Sequence, residues 1–384
     1  MRSVAIIGIG MTTISEHWDQ SIKVLAGEAV LAALADAGRE AVDGLFIGNM
    51  LSGTLNRQEN LGAMLSDWVG LRGAEAVKIE AACGSGGAAV RQALMAVASG
   101  VMDSALAVGV EKMTDTVPAT TTGGLATAAD SDWEAAQGVS FVALNALVMQ
   151  RYLHEYGWTK DDFAPFAINA HGNAMHNPFA RLHEKVDARA YKKARMVAEP
   201  INLLDASPTG DGAAAVLIVP AGQVSANGRP RILIAGSASA TDTLAIHDRR
   251  DPLWLSAAEL SARKAYSQAG VGPAEIDVFE LHDAFSIMAA LSLEACGFAE
   301  RGQGPRLALD GEIVPTGRVP IATRGGLKAR GHPVGATGVY QVCELVEQLR
   351  GTAAGTQVDG ARIGMAQNIG GSGATIVTHI LRSE

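Results

Sequence analysis

The chain has 384 residues, of which 48% are apolar and 5% aromatic, with 44 glycines and a formal net charge of −9. That size supports two domains or one duplicated α/β unit, and the composition excludes a disordered chain. The acidic balance and lack of basic runs exclude a charge-driven nucleic-acid or anionic-membrane binder, and no apolar stretch reaches transmembrane length.

Three cysteines, Cys83, Cys296 and Cys343, make no disulfide framework, so a reduced, cytoplasmic setting is expected. Val4–Gly10 is a short apolar run ending in glycines, which predicts a buried strand and not a signal peptide. Ser21–Ala37 has apolar residues at helical spacing and stops before Gly38. Asp43–Met50, Ala76–Ala82 and Ala105–Val110 predict strands, with helices at Leu61–Val69 and Ser85–Ser99. Gly212–Pro220 closes this half as another strand.

The order then repeats. Arg231–Ser239 predicts a strand, Ala257–Ala269 a helix, Ile276–Leu281 a strand, Ala284–Cys296 and Ala336–Leu349 helices, and Ile363–Asn368 and Ala374–Leu381 strands. Alternation of this kind predicts mainly parallel sheets covered by helices. Between the halves the pattern breaks. The expected division is therefore 1–113 with 207–225, an inserted loop-and-helix domain at 114–206, and 226–384. An insertion of that size commonly forms a lid or binding region.

Four short motifs carry chemistry. In Glu80-Ala-Ala-Cys83-Gly-Ser-Gly-Gly a strand runs through Cys83 and glycines into a helix. A thiol at a helix N-terminus meets unpaired amides that stabilise a thiolate, so a lowered pKa is expected, although a small buried cysteine would fit the same turn. Glu280-Leu-His282-Asp-Ala-Phe places His282 at the C-terminal end of a strand, where parallel sheets gather ligands. Gly325-Gly-Leu-Lys-Ala-Arg-Gly-His332-Pro places His332 in a glycine-rich loop that opens a helix. Gln367-Asn-Ile-Gly370-Gly-Ser-Gly is a strand ending in glycines whose amides could bind an oxyanion. Each motif alone also has a bland structural reading.

Together, in this order and spacing, they resemble the thiolase superfamily, and the similarity runs over essentially the whole chain, including Ser207-Pro-Thr-Gly-Asp-Gly. Ile168-Asn-Ala-His-Gly-Asn-Ala-Met-His-Asn-Pro in the insertion is similar to the sterol-carrier-protein-x and archaeal branches. The resemblance implies a thiolase fold: two duplicated β/α halves in a five-layered α-β-α-β-α core. It implies Claisen condensation of acetyl- or acyl-CoA, or thiolysis of a 3-ketoacyl-CoA, through an acyl group on Cys83. His332 would take the thiol proton, the amides of Cys83 and Gly370 would hold one oxyanion, and His282 with His332 would hold the enolate oxygen. Coenzyme A thioesters are the expected substrates, with no cofactor and no metal.

The sequence departs from the commonest thiolases at two positions. Asn368 stands where they carry a second cysteine that moves the α-carbon proton, and Ala284 stands where sterol-carrier-type members carry another. His282 is the candidate for that proton. Alternatives are a decarboxylating ketoacyl synthase, a retro-aldolase on steroid-type CoA thioesters, and a non-catalytic acyl-CoA scaffold. The resemblance also implies a homodimer or homotetramer. It further implies a zinc-containing OB-fold partner with hydroxymethylglutaryl-CoA synthase, and no nucleic acid or membrane.

Weaker signals are read structurally. Gly8-Ile-Gly10 lacks the third glycine of a dinucleotide fingerprint. Cys296 and Cys343 read as core. His171 is a candidate tunnel residue, and Arg249 and Arg250 belong to a solvated loop that could meet CoA phosphates. Trp133, Phe141, Met149 and Met175 read as the insertion's core, with acyl selectivity expected from that region.

Overall fold

A computed structural model describes residues 2–224 and 229–384. The expected boundary at 225/226 lies outside the described residues. The first half runs β1 (Val4–Met11), α1 (Ile22–Ala37), β2 (Gly44–Gly48), α2 (Ser52–Leu55), α3 (Leu61–Trp68), β3 (Glu75–Ile79), α4 (Ser85–Ser99) and β4 (Ala105–Glu111). Residues 114–206 follow with α5 (Pro118–Ala126), α6 (Phe141–Tyr156), α7 (Ala164–Ala174), α8 (Ala188–Lys193) and a small hairpin of β5 (Met196–Ala198) and β6 (Ile201–Asn202). After β7 (Gly212–Pro220), the second half runs β8 (Ile232–Thr241), α9 (Ser256–Ala269), β9 (Val278–Glu280), α10 (Ser286–Ala295), α11 (Gly304–Leu309), α12 (Thr337–Arg350), β10 (Ile363–Gly370) and β11 (Thr375–Ser383).

Nine strands join in the order β3-β2-β4-β7-β1-β8-β11-β10-β9. Read outward from the short β1–β8 junction, both halves have the same plan. The first strand of each half lies beside the last, then comes the strand before it, then the second. The duplication expected from element order is therefore present in the pairing, with β3 lacking a counterpart among the described residues of the second half.

The sheet is mixed, which corrects the expectation of mainly parallel pairing. β2 pairs parallel with β3 and β4, and β9 with β10, but the remaining neighbours are antiparallel. In the second half the cause is the last connection. β10 turns straight into β11 over four residues, and so short a link can join only antiparallel strands.

Layering follows from which helix faces are apolar. α1 packs on β1 and β7, and α9 on β8 and β11, as outer layers. Gly8 and Gly10 serve this packing: a Cβ on either would lie 2.1 Å from a carbonyl oxygen of α1. α4 and α12 touch strands of both halves and form the middle layer, so both are rich in buried residues, Cys343 among them. Cys296 is likewise buried, in the core of the second half. Residues 114–206 share that core, since Met149, Tyr152, Phe163 and Phe166 pack in one cluster with Phe279 and Ile287.

The middle helices meet backbone to backbone. A Cβ on Gly86 would come within 2.9 Å of Gly335 O and Gly338 N, and one on Gly338 within 2.2 Å of Gly87 N. Real Cβ atoms do not approach backbone so closely, and neither partner is a flexible tip. Gly338→Ala is therefore expected to cost about 2 kcal/mol or more of stability. A thermal melt checks this, and an unchanged midpoint would show that the crossing has slack.

Candidate active site

The strand-to-helix turn before α4 is held by local polar bonds. Gly84 N–H donates to Ala81 O (2.9 Å) and Ser85 N–H to Ala82 O (3.1 Å). Ser85 Oγ accepts from Ala81 N–H (2.9 Å) and donates to Ala82 O (2.6 Å). Ala82 adopts a φ of +51°, a left-handed conformation that costs a non-glycine residue about 1–2 kcal/mol. The next residue is Cys83, at the floor of a cavity.

Cys83 is half-buried, and desolvation governs its thiol. Desolvation, reinforced by the Glu111 carboxylate, pushes its pKa up to about 12, against the opposing pull of the Gly371 and Cys83 N–H groups. The expected thiolate is thus corrected: the amides are present, but they do not offset removal from water.

His282, two residues past β9, and His332, five before α12, face each other edge-on with ring centroids 5.0 Å apart. His332 Nδ1 lies 2.7 Å from Thr337 Oγ1, whose own proton goes to Pro333 O (3.1 Å). That hydroxyl oxygen is left to accept, which puts the ring proton on Nδ1 and leaves Nε2 with a lone pair. His282 Nδ1 instead faces donors, Asn368 Nδ2 at 3.2 Å and Ile369 N–H at 3.4 Å. Burial, then the Arg330 charge, pushes His282 down to about 3. Burial, His282 and Arg330 together hold His332 well below its usual value. The resting site therefore combines a neutral thiol with two neutral imidazoles.

Two carboxylates fasten this site. Glu111, at the end of β4, accepts from Met50 N, Leu51 N, Gly335 N and Asn49 Nδ2 at 2.9–3.0 Å. Burial pushes its carboxyl up to about 7, but four donors and no acceptor surround it, which favours the ionised form. One side chain thus ties the first half to the loop carrying His332. Asp283 accepts from Leu327 N (2.7 Å) at the start of a π-helical turn, Gly326–Arg330, that leads into the same loop. Behind it, Arg330 pairs with Glu344 at 2.5 Å, both buried.

One cavity brings Cys83, His282 and His332 together, walled by Met113, Leu125, Phe141, Val142, Phe285, Met288 and Val334. Ser207, Pro208 and Thr209 line it from the segment before β7, and Gly371 completes the wall beside the thiol. Gly371 rather than the expected Gly370 is the glycine whose amide reaches Cys83; Gly370 packs behind the turn, where a Cβ would lie 2.3 Å from Ala81 O.

Several weaker expectations are corrected. His171 is buried in α7 against Glu184 O and does not line the cavity. Arg249 is buried and donates to Ser372 O, clamping the glycine turn from behind, so it is not free to meet a phosphate. Trp133 is 68% exposed and thus no core residue, whereas Phe141 lines the cavity and Met149 is buried. Thr337, Glu111 and Gly371 escaped sequence reasoning. The Gly-x-Thr-Gly start of α12 and the charged end of an otherwise apolar strand were the available signals.

Comparison with known proteins gives a consistent result. The family described as "Thiolase, N-terminal domain" matches residues 4–222, and "Thiolase C-terminal domain-like" matches residues 238–383. A Methanothermobacter thermautotrophicus protein named acetyl-CoA acetyltransferase is 45% identical over 382 residues, covering 99% of both chains. One of the same name from Methanocaldococcus jannaschii is 38% identical over 393 residues, again covering 99% of each. Among solved structures, the Ltp2-ChsH2(DUF35) aldolase superposes with a TM-score of 0.85 at 26% identity, over 99% of this chain and 98% of the other.

Because alkylation proceeds through the thiolate, Cys83 should react with iodoacetamide far more slowly than a free cysteine at neutral pH. Its rate should rise about tenfold per pH unit from pH 7 to 10 without levelling. A plateau below pH 9, followed by peptide mass spectrometry, would show a thiol lowered by its amides after all.

Proposed function

The chain belongs to the thiolase family and is an acyl-CoA acyltransferase, and on that basis we propose that Cys83 carries the acyl group between two coenzyme A thioesters. The supporting observation is the convergence of Cys83, His282, His332 and the Gly371 amide on one apolar cavity.

The neutral thiol needs a base at the moment of attack. Nε2 of His332, left unprotonated by the Thr337 contact, takes the proton as Sγ adds to the thioester carbonyl. The carbonyl oxygen gathers charge between the N–H groups of Cys83 and Gly371. Collapse expels the coenzyme A thiolate, and His332 returns the proton to it. In the second half, the enolate of another acyl-CoA attacks the acyl-enzyme carbonyl, its thioester oxygen held by His282 and His332. Thiolysis of a 3-ketoacyl-CoA is the reverse path. The aldolase likeness raises a retro-aldol reading, but an intact thiol with two facing imidazoles favours acyl transfer.

Phe141, Val142, Phe285 and Met288 crowd the cavity, and together with the names of the two archaeal relatives they support an acetyl or other short acyl group. A reduced, cytoplasmic setting and a role in lipid metabolism fit this chemistry. Among the described residues β3 has a neighbour on one side only, and it shows Val77 to solvent, which supports a homodimer or homotetramer built by strand pairing at that edge. The solved neighbour named for Ltp2 with ChsH2(DUF35) supports a partner protein, here an OB-fold zinc protein that would couple the chain to hydroxymethylglutaryl-CoA synthase.

Intact-protein mass spectrometry with acetyl-CoA, and separately acetoacetyl-CoA, should show one added acetyl group on the wild type and none on Cys83→Ala. Absence of an adduct from both donors would overturn the short-acyl assignment. Sedimentation velocity should show a dimer or larger, and a monomer at micromolar concentration would remove the strand-pairing interface. Co-purification from the native host reads the larger complex; an empty pull-down would count against it.

A further inference from the structure

Asn368, on β10, stands where the commonest thiolases carry a second cysteine, and its carboxamide joins three separate pieces of the site. Its Oδ1 accepts from Gly87 N–H (3.0 Å), and its Nδ2 donates to Cys83 O (3.0 Å). Those partners are backbone groups of fixed polarity, one donor and one acceptor, so the amide has only one orientation. The remaining Nδ2 hydrogen points at His282 Nδ1, 3.2 Å away, where Ile369 N–H also points from 3.4 Å. A ring nitrogen facing two donors must offer its lone pair. The ring proton of neutral His282 is thereby placed on Nε2.

The fit is tight. A Cβ on Gly87 would sit 3.0 Å from Asn368 Oδ1, and one on Gly338 2.3 Å from the same atom, so glycines on both middle helices make room for this side chain.

We propose that Asn368 is a positioning residue that locks His282 as the Nε2–H tautomer, so that His282 only donates to the thioester oxygen and the α-carbon proton leaves to His332. This rests on Cys83 as acyl carrier. It also reassigns the proton transfer first expected of His282, whose one basic nitrogen is already engaged.

The step balances. After loading, His332 has passed the thiol proton to the departing coenzyme A thiolate and is neutral again. Its Nε2 takes the α-proton of the second acyl-CoA as the C–H electron pair moves into the enolate. The new imidazolium and the Nε2–H of His282 both donate to the enolate oxygen. Attack on the acyl carbonyl forms the carbon–carbon bond, collapse breaks the C–S bond to Cys83, and the thiolate recovers its proton from His332.

The tautomer can be read without turnover. In protein labelled with [15N]histidine, long-range proton–nitrogen correlation should show His282 Nε2 protonated and Nδ1 bare, with the resonance identified by its loss in His282→Gln. A proton on Nδ1 in the wild type overturns the lock. Asn368→Asp is nearly isosteric and places an acceptor beside Nδ1, so it should move the proton there and leave Nε2 unable to donate. Acetyl loading of Cys83 should then fall by less than about tenfold, while condensation falls by roughly 10²–10³. Equal losses in both half-reactions would reduce Asn368 to scaffolding. If that variant does not fold, the wild-type tautomer reading and the α-proton exchange below decide the proposal by themselves.

Exchange of acetyl-CoA α-protons into D2O tests the base directly. It should persist in His282→Gln, whose amide donates but takes up no proton, and stop in His332→Gln. The opposite pattern overturns the assignment. Wild-type protein that fails to acetylate at Cys83 would instead sink the acyl-carrier reading, with the tautomer result still standing.

Discussion

Two helix beginnings meet at the centre of the molecule, where Gly86 and Gly87 of α4 touch Gly335 and Gly338 at the start of α12, and everything functional hangs on that contact. Each helix occupies the same place in its half: it lies beneath the half-sheet and starts from the same end. Bringing the two starts into backbone contact therefore brings together whatever precedes them. On one side that is Cys83, and on the other it is His332. A duplicated fold thus becomes a bifunctional site without either copy containing one. Any side chain at the crossing would wedge the two helices apart, which is why the motifs flanking both reactive residues are glycine-rich.

The environment built there suppresses charge. Desolvation raises the thiol and lowers both imidazoles, so no ion pair forms at rest and proton movement is confined to the moment of reaction. The fold tolerates considerable cost to maintain this. Arg330 and Glu344 are buried together behind the histidines, with Arg330 Nε and Nη2 and Glu344 Oε1 lacking hydrogen-bond partners among the described residues. Such pairs rarely add net stability, because desolvation offsets their attraction. Their value here is positional: Arg330 immediately precedes Gly331 and His332 and stacks its guanidinium over Tyr340 of α12.

Much of this was legible in the residues. Helical and strand periodicities located most elements to within a residue or two, because long buried helices and apolar strands leave strong patterns. Cys83 and His332 were legible because each lies in a glycine-rich approach to a helix, and His282 because it directly follows an apolar strand. What escaped depends on three-dimensional context. The direction of β11 relative to β10 is set by turn length, which apolar content does not encode. The acidity of Cys83 is a contest between amides and burial, and only the amides are visible in a motif. Gly371 displaced Gly370 because the strand runs two residues further than its apolar pattern. Arg249 looked solvated in a charged run and is buried, since its partner, Ser372 O, lies more than a hundred residues away. The lattice around Asn368 draws on three separate segments, so no local window could contain it.

The position of β1 has a consequence for how the protein is made. Its edges are taken by β7 and β8, and about two hundred residues separate the end of β1 from the start of β7. At a synthesis rate of about 5–20 residues per second, the first strand leaves the ribosome some 10–40 s before its first partner exists. During that interval a run of Val, Ala, Ile and Gly, built for burial on both edges, can pair with any strand it meets. Closing a loop of that length also places assembly among slow, high-contact-order processes. The arrangement that joins the two halves therefore exposes the nascent chain to aggregation, and yield from fast expression at high temperature should be limited by the wait for residues 212–241 and not by the stability of the finished fold.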